Sequence, residues 1–414
     1  TMRRPAKTRL AGTLAAIPIC AMLSGVATSQ TAPSTVLNNQ INLGDVFAEQ
    51  TLNVETVTDG FSASTIAPAN SVLISVQNTD ASMTSNQENS GAVLAHGVVN
   101  VATHGGNNSN FTTTAVGNAG TAAADNGTLT GRATQLNTGP VTARSQLEAH
   151  EAELNDVSMS TLAQGNSQGL TLINGAMGVR VSQGNTANVL ADGGAIAGAI
   201  AGTAAVAGTA TGNNITLSGT EQSAARVITE QSNAGITQAS KFTAYGSSYL
   251  SSTAASASGN NLSATNEGPL LDVASSQYNT AYVRAQAEAT AYQFSAAQVG
   301  AHGVGNSALV GNYGPEVVLD NIQTNEGGGV EVLATFEGYD GYDAVASSTA
   351  MGNAVTGYAC SQCSGQMTIK NNQVNSAEIG ARTSTIAGSA RSVSGITTAT
   401  GNNASFYVSS PGGN

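Results

Sequence analysis

The chain has 414 residues, of which 9% are charged and 4% aromatic; Trp is absent, Gly numbers 48, and the net charge is −12. That acidic balance excludes nucleic acid and anionic membrane surfaces as partners, because such ligands need basic residues to neutralise them. The same composition resembles disordered low-complexity sequence, and only a strict period argues otherwise.

Residues 1–27 carry the pattern of a signal peptide. Arg3, Arg4, Lys7 and Arg9 make a basic start, residues 10–23 an apolar run, and Gly25-Val26-Ala27 a small-residue cleavage site. Ile19 ahead of Cys20 is too bulky for a lipoprotein site. Without this segment nine basic residues face 25 acidic ones, a net charge of −16. Residues 28–414 are expected to form a single exported domain.

From Gln40 onward one phrase returns: Gln-x-Asn-x-(Gly/Ala), usually followed by x-(Val/Ile)-x-Ala. Its pairs are Gln40 and Asn42, Gln87 and Asn89, Gln135 and Asn137, Gln183 and Asn185, Gln231 and Asn233, Gln277 and Asn279, Gln323 and Asn325, and Gln373 and Asn375. The steps of 47, 48, 48, 48, 46, 46 and 50 residues define about eight copies of one unit of ~47 residues, with a shortened last copy from Gly401. A period of this size means one structural unit stacked on the next. Within the phrase the recurring residues sit at every second position, so Gln, Asn, Gly or Ala, Val and Ala are expected on one face of a strand.

A second phrase, Ala-x-Gly-Asn, precedes most of these by about 18 residues. It occurs at Gly117-Asn118, Gly165-Asn166, Gly212-Asn213, Gly259-Asn260, Gly352-Asn353 and Gly401-Asn402; Gly305-Asn306 and Ala69-Asn70 are variants. Gly and Asn both tolerate positive φ, so a sharp corner is expected there. Inward positions such as Ala285, Ala287, Ala289 and Ala291 are small, which brings facing sheets close. Small side chains bury little apolar area, so one copy cannot offset its ordering entropy and stacking must supply the rest. The expected fold is all-β: an elongated β-solenoid, or β-helix, in which Gln stacks on Gln and Asn on Asn about 4.8 Å apart, their amides bonded in ladders. One rung per copy makes a stack about 40 Å tall and two rungs one nearer 75–80 Å. The sequence leaves both open.

Other stretches imitate chemistry. Gly165-Asn-Ser-Gln-Gly169 matches a nucleophile elbow, yet it begins at a repeat corner. Gly303-Val-Gly-Asn-Ser-Ala308 imitates a dinucleotide fingerprint without a βαβ setting. His96, His104, His150 and His302 follow no metal-ligand spacing and read as exposed strand residues, and the acidic run from Glu148 to Asp156 reads as a solvated face. Residues 193–210 are apolar, with Gly194, Gly198 and Gly202 in membrane-helix spacing, but Ala195, Ala197, Ala199 and Ala201 keep a strand beat. Cys360 and Cys363 lie in the longest Gly-Asn to Gln segment, where a disulfide pinching off a small bulge is expected over a redox pair or half a zinc site. Tyr339, Asp340, Tyr342 and Asp343 fall together, the chemistry of a loop that touches sugar or calcium. No catalytic, cofactor or metal residue is assigned.

The spacing of Gln183, Asn185 and Ala187 resembles the repeats of curli-type amyloid subunits, with one Gly-x step fewer and about twice the period. Closer is the stretch Val36-Leu-Asn-Asn-Gln-Ile-Asn-Leu-Gly-Asp-Val-Phe-Ala-Glu-Gln50, with Val54 and Val57-Thr-Asp59 after it. Together with the Gly-Asn and Gln-x-Asn cadence it resembles the holdfast-anchoring protein D family of stalked bacteria, over nearly the whole mature chain. The resemblance implies a non-enzymatic protein of the outer-membrane-associated cell surface that attaches an adhesive polysaccharide holdfast to the envelope. It further implies multimers, a curli-like companion subunit and an outer-membrane secretion pore as partners, and no cofactor. The alternative is a β-helical protein that binds or cleaves polysaccharide. Such enzymes carry long catalytic loops, whereas insertions here, near Gly327-Gly-Gly329 and Cys360, are about three residues. An outer-membrane barrel would need aromatic girdles that this composition lacks.

Overall fold

The computed structural model describes residues 34–360 and 365–408; the signal-peptide segment 1–27 and Cys363 lie outside the described residues. Every described element is a strand, and every pairing is parallel. Gln87 lies over Gln40 and Asn89 over Asn42, and the same register recurs up to Gln373 over Gln323. Each copy is therefore one rung of a β-solenoid. The eight Gln-x-Asn strands, from Ser34–Asn42 to Gln366–Asn375, form one sheet, about 34 Å tall at ~4.8 Å per rung.

A rung has three sides. In the copy that opens with Ala176–Asn185, the second side is the first part of Val189–Thr220, paired with Val141–Leu154, and the third is its later part, paired with Asp156–Ile173. The recurring phrase is thus not one strand, as its alternation had implied. Asn185 closes the first side and Val189 opens the second, and the buried phase of Gln183, Asn185, Val189 and Ala191 carries across the turn between them. The apolar stretch 193–210 lies within this strand, and no described helix is long and apolar enough to cross a membrane.

Three amide ladders run the length of the stack. In the first, each Asn of Gln-x-Asn donates to the Asn one rung on, from Asn42 to Asn375, at 2.7–2.9 Å. The second joins Asn70, Asn118, Asn166, Asn213, Asn260, Asn306, Asn353 and Asn402 in the same direction, all at 2.8 Å. The third runs the opposite way: each Gln from Gln87 to Gln373 donates to the Gln one rung back, at 2.7–3.0 Å. The spare N–H groups bind the sides to one another. Gln183 donates to the carbonyl of Asn214 on its own rung, and Asn213 donates to the carbonyl of Ser232 between Gln231 and Asn233 of the next. The spacing of about 18 residues between the two phrases is the length of this clasp.

The Gly-Asn corner forms for a different reason from the one expected. Among non-glycine residues, positive φ falls at Asn78, Asn126, Asn174 and Glu221, in the turn from the third side back to the first. At Gly-Asn the third side bends and its alternation slips, so Ala210 through Ile215 are all buried. Glycine is required there by contact. A Cβ at Gly165 would stand 2.6 Å from Asn185 Oδ1 and 2.6 Å from the Gly212 carbonyl.

The interior is less uniform than the small-residue pattern implied. Leu129, Leu172, Val181, Ile215 and Val317 fill the space between the first side and the end of the third. Ala95, Ala143, Ala191, Ala239 and Ala285 form the narrow middle. Phe111, Leu147, Leu154 and Met159 sit where the second side meets the third. The small side chains expected throughout are concentrated in the middle cluster, which is mostly Ala.

The ladder contact makes a direct prediction. Gly212→Ala, whose Cβ would meet Asn233 Oδ1 at 2.4 Å, is expected to cost at least about 2 kcal/mol through forced overpacking. Gly380→Ala, with nothing within 4 Å, should stay within about 0.5 kcal/mol of the parent. Urea unfolding of both variants checks this, and equal midpoints would contradict it.

Candidate functional site: a tyrosine corner

Where the second side meets the third, the inward–outward alternation breaks and two successive residues are exposed. In consecutive rungs these include Tyr292 with Gln293 and Tyr339 with Asp340. The register sets Ala291 against Gly338 and Gln293 against Asp340, which places Tyr339 one rung above Tyr292. Their rings stack with centroids 4.8 Å apart and planes within 2°. Beneath them Phe294 and Phe336 meet edge to face at 5.0 Å, both buried. Gly338 and Gly341 leave room for Phe294, since a Cβ at either would approach its ring within 2.6 Å. The Phe-Glu-Gly-Tyr-Asp-Gly-Tyr-Asp stretch therefore reads as anchors and spaces on the inside and tyrosines on the outside.

Of the four residues expected here, the structure brings all to one corner and gives them different roles. Asp343 is bonded to Arg391, whose guanidinium lies 5.8 Å from the Tyr342 ring centroid. Asp340 joins no salt bridge among the described residues and lines, with Ser248, Tyr249, Gln293 and Tyr342, a groove of about 500 Å³.

Other candidates disperse. Gly165 to Gly169 is a bend in a continuous strand whose Asn166 sits in the ladder. His150 is exposed and bonded to Glu148 at 2.8 Å, whereas His96, His104 and His302 are half-buried and not fully exposed as expected. Burial holds the His302 imidazole below its usual range. The acidic run supplies no cluster able to hold a metal among the described residues. Cys360 is disulfide-bonded.

Sequence reasoning missed Lys241. Its side chain is 1% exposed and donates to Thr161 Oγ1 at 2.6 Å, the Asp192 carbonyl at 2.7 Å and Ser145 Oγ at 3.3 Å. Gly208 makes the space, since a Cβ there would meet Lys241 Cε at 2.6 Å. The available signal was a lysine on an inward position that the next two rungs fill with Ala287 and Ala334. Burial pushes its ammonium down to about 7.

Fold and corner together define a parallel β-solenoid with an amide-laddered seam and an outward aromatic site. The sequence model of the holdfast attachment protein D family matches residues 55–329, and the chain belongs to that family. Holdfast attachment protein D of Caulobacter vibrioides is 57% identical over 64 residues, which is 16% of this chain and 21% of that relative. The chain thus spans about a fifth of the length of the curated relative it matches. No solved structure matches the chain.

Lys241 makes the stability pH-dependent. The unfolded lysine holds its proton to near 10.5 and the folded one only to about 7. Between these values the unfolded chain binds more protons, so stability rises with pH across that window. Lys241→Met should raise stability at neutral pH and flatten the rise, read from unfolding midpoints at pH 6.5, 8 and 9.5. A variant with the parent's slope would contradict the assignment.

Proposed function

We propose that this chain is a non-enzymatic structural protein of the cell surface that tethers an adhesive extracellular polysaccharide, a holdfast, to the cell envelope. The observation that supports this most is its membership in the holdfast attachment protein D family, over a matched segment lying within the laddered stack. A rigid stack whose backbone and side-chain amides bond from rung to rung suits a tether, because pulling across it strains many hydrogen bonds together. Copies associate end to end. The two Asn ladders donate toward the C-terminal end and the Gln ladder toward the N-terminal end, so one end of a stack complements the other and exposed strand edges favour their union. A curli-like companion subunit and an outer-membrane secretion pore complete the assembly.

Two experiments address this reading. Cells lacking the gene should release intact adhesive into the medium; cells that stop making it would assign the protein to biosynthesis. Asn402 accepts from Asn353 at 2.8 Å, so Asn402→Asp keeps that acceptor and removes the outward donor. Sedimentation of the purified variant should show multimers reduced several-fold, and an unchanged distribution would rule out ladder continuation.

A further inference from the structure

The tyrosine stack is open on both faces. In the register, the position of Tyr292 is taken one rung below by Gly246, between Tyr245 and Ser247. The position of Tyr339 is taken one rung above by Gly388, between Ala387 and Ser389. Close backbone approach requires both glycines, since a Cβ at Gly246 would lie 2.5 Å from the Gly198 carbonyl and one at Gly388 2.7 Å from the Tyr339 carbonyl. A Cβ at Gly388 would also lie 3.6 Å from Tyr339 Cδ2, so the missing side chain would have stood against that ring. Each outer ring face therefore looks into a slot one rung deep. The rings stay 61% and 62% exposed, which leaves two large amphipathic surfaces without the burial aromatic rings ordinarily find.

A second observation points to a ligand in the same place. The adjoining groove crosses four rungs, from Ile200 through Ser248 and Phe294 to Gly341. Ser248 pairs with Ile200 and Phe294 and, like them, is buried, at 5% exposed, so the polar rim of the groove comes from its neighbours. Beside it Gln293 offers donors and an acceptor and Asp340 offers acceptors.

We propose that this corner is a carbohydrate-binding site, in which pyranose rings of a non-acidic polysaccharide stack on the outer faces of Tyr292 and Tyr339 while their hydroxyls bond Gln293 and Asp340. A pyranose presents an apolar C–H face and a rim of hydroxyls, which matches bare aromatic faces beside a shallow groove that carries polar groups. The open carboxylate of Asp340 and the net negative chain disfavour uronic or sulfated sugars. The proposal rests on the tethering function above and names the site that performs it.

The test titrates the purified protein with cellohexaose, a chitosan hexamer and hexagalacturonate, following the tyrosine signals by NMR. Binding of the uncharged or amine-bearing oligomer and not of the uronate is expected. Y292A/Y339A should weaken binding at least tenfold with an unchanged far-UV circular dichroism spectrum, Y292F/Y339F should retain it, and Gln293→Ala should weaken it several-fold. Failure of all three oligomers to bind, preference for the uronate, or undiminished binding by Y292A/Y339A would each overturn the site. In cells the two readings separate. If Y292A/Y339A cells keep their adhesive while deletion cells shed it, the tether stands and the site falls; if deletion cells keep it, the tethering reading itself falls.

Discussion

The structure depends on one requirement: the stacked amides of the Gln-x-Asn and Gly-Asn positions must meet their partners. Asn185 illustrates it. It accepts from Asn137 at 2.8 Å and donates to Asn233 at 2.8 Å and to the Ala187 carbonyl at 2.9 Å, and it is 0% exposed. A buried amide of this kind contributes about 1 kcal/mol net per bond when matched and costs about 1–3 kcal/mol when not. Rungs can therefore stack only in the register that sets Asn on Asn and Gln on Gln. A slip of one residue would turn these amides outward and strand their neighbours. Register, bend and glycine placement all follow, because Gly165 and Gly212 exist to bring the bent backbone against the Asn ladder.

Much of this was legible in the sequence. Eight Gln-x-Asn phrases in tight period disclosed the stacking, the ladders and the all-β class, since only in-register parallel strands bring like residues together at that interval. The rung count was not legible, because one strand period fits either a single coil of three sides or two shorter coils. The turn after Asn185 was hidden for a related reason: alternation continues across it, so Gln183 to Ala191 looks like one strand. At Gly-Asn the composition named the right place and the wrong cause. Residue type reports what a position tolerates, and a Cβ meeting Asn185 Oδ1 depends on a partner 20 residues away.

The corner was legible in part. Tyr339, Asp340, Tyr342 and Asp343 stood out by residue type, but Tyr292 and Gln293 belong to another rung and join them only through the register. Asp343 proved to be Arg391's partner, which a local motif does not announce because the two are 48 residues apart. Lys241 is the clearest case of a feature visible only in three dimensions: an unremarkable lysine in sequence, closed in by the space above Gly208. These departures from repeat regularity gather where the second side meets the third. The seam opposite stays uniform, which leaves the corner free to vary while the ladders hold the stack.

The most direct measurement of the central claim is hydrogen exchange of the side-chain amides, resolved by NMR with Asn and Gln labelled. If the ladders hold the rungs, the carboxamide protons of Asn137, Asn185, Asn233 and Asn279 should exchange as slowly as the backbone amides of the neighbouring strands, and those of exposed Asn39 should exchange freely. Carboxamide exchange at the free rate throughout the stack, beside protected backbone amides, would show that the strands stack without the ladders and would contradict the account.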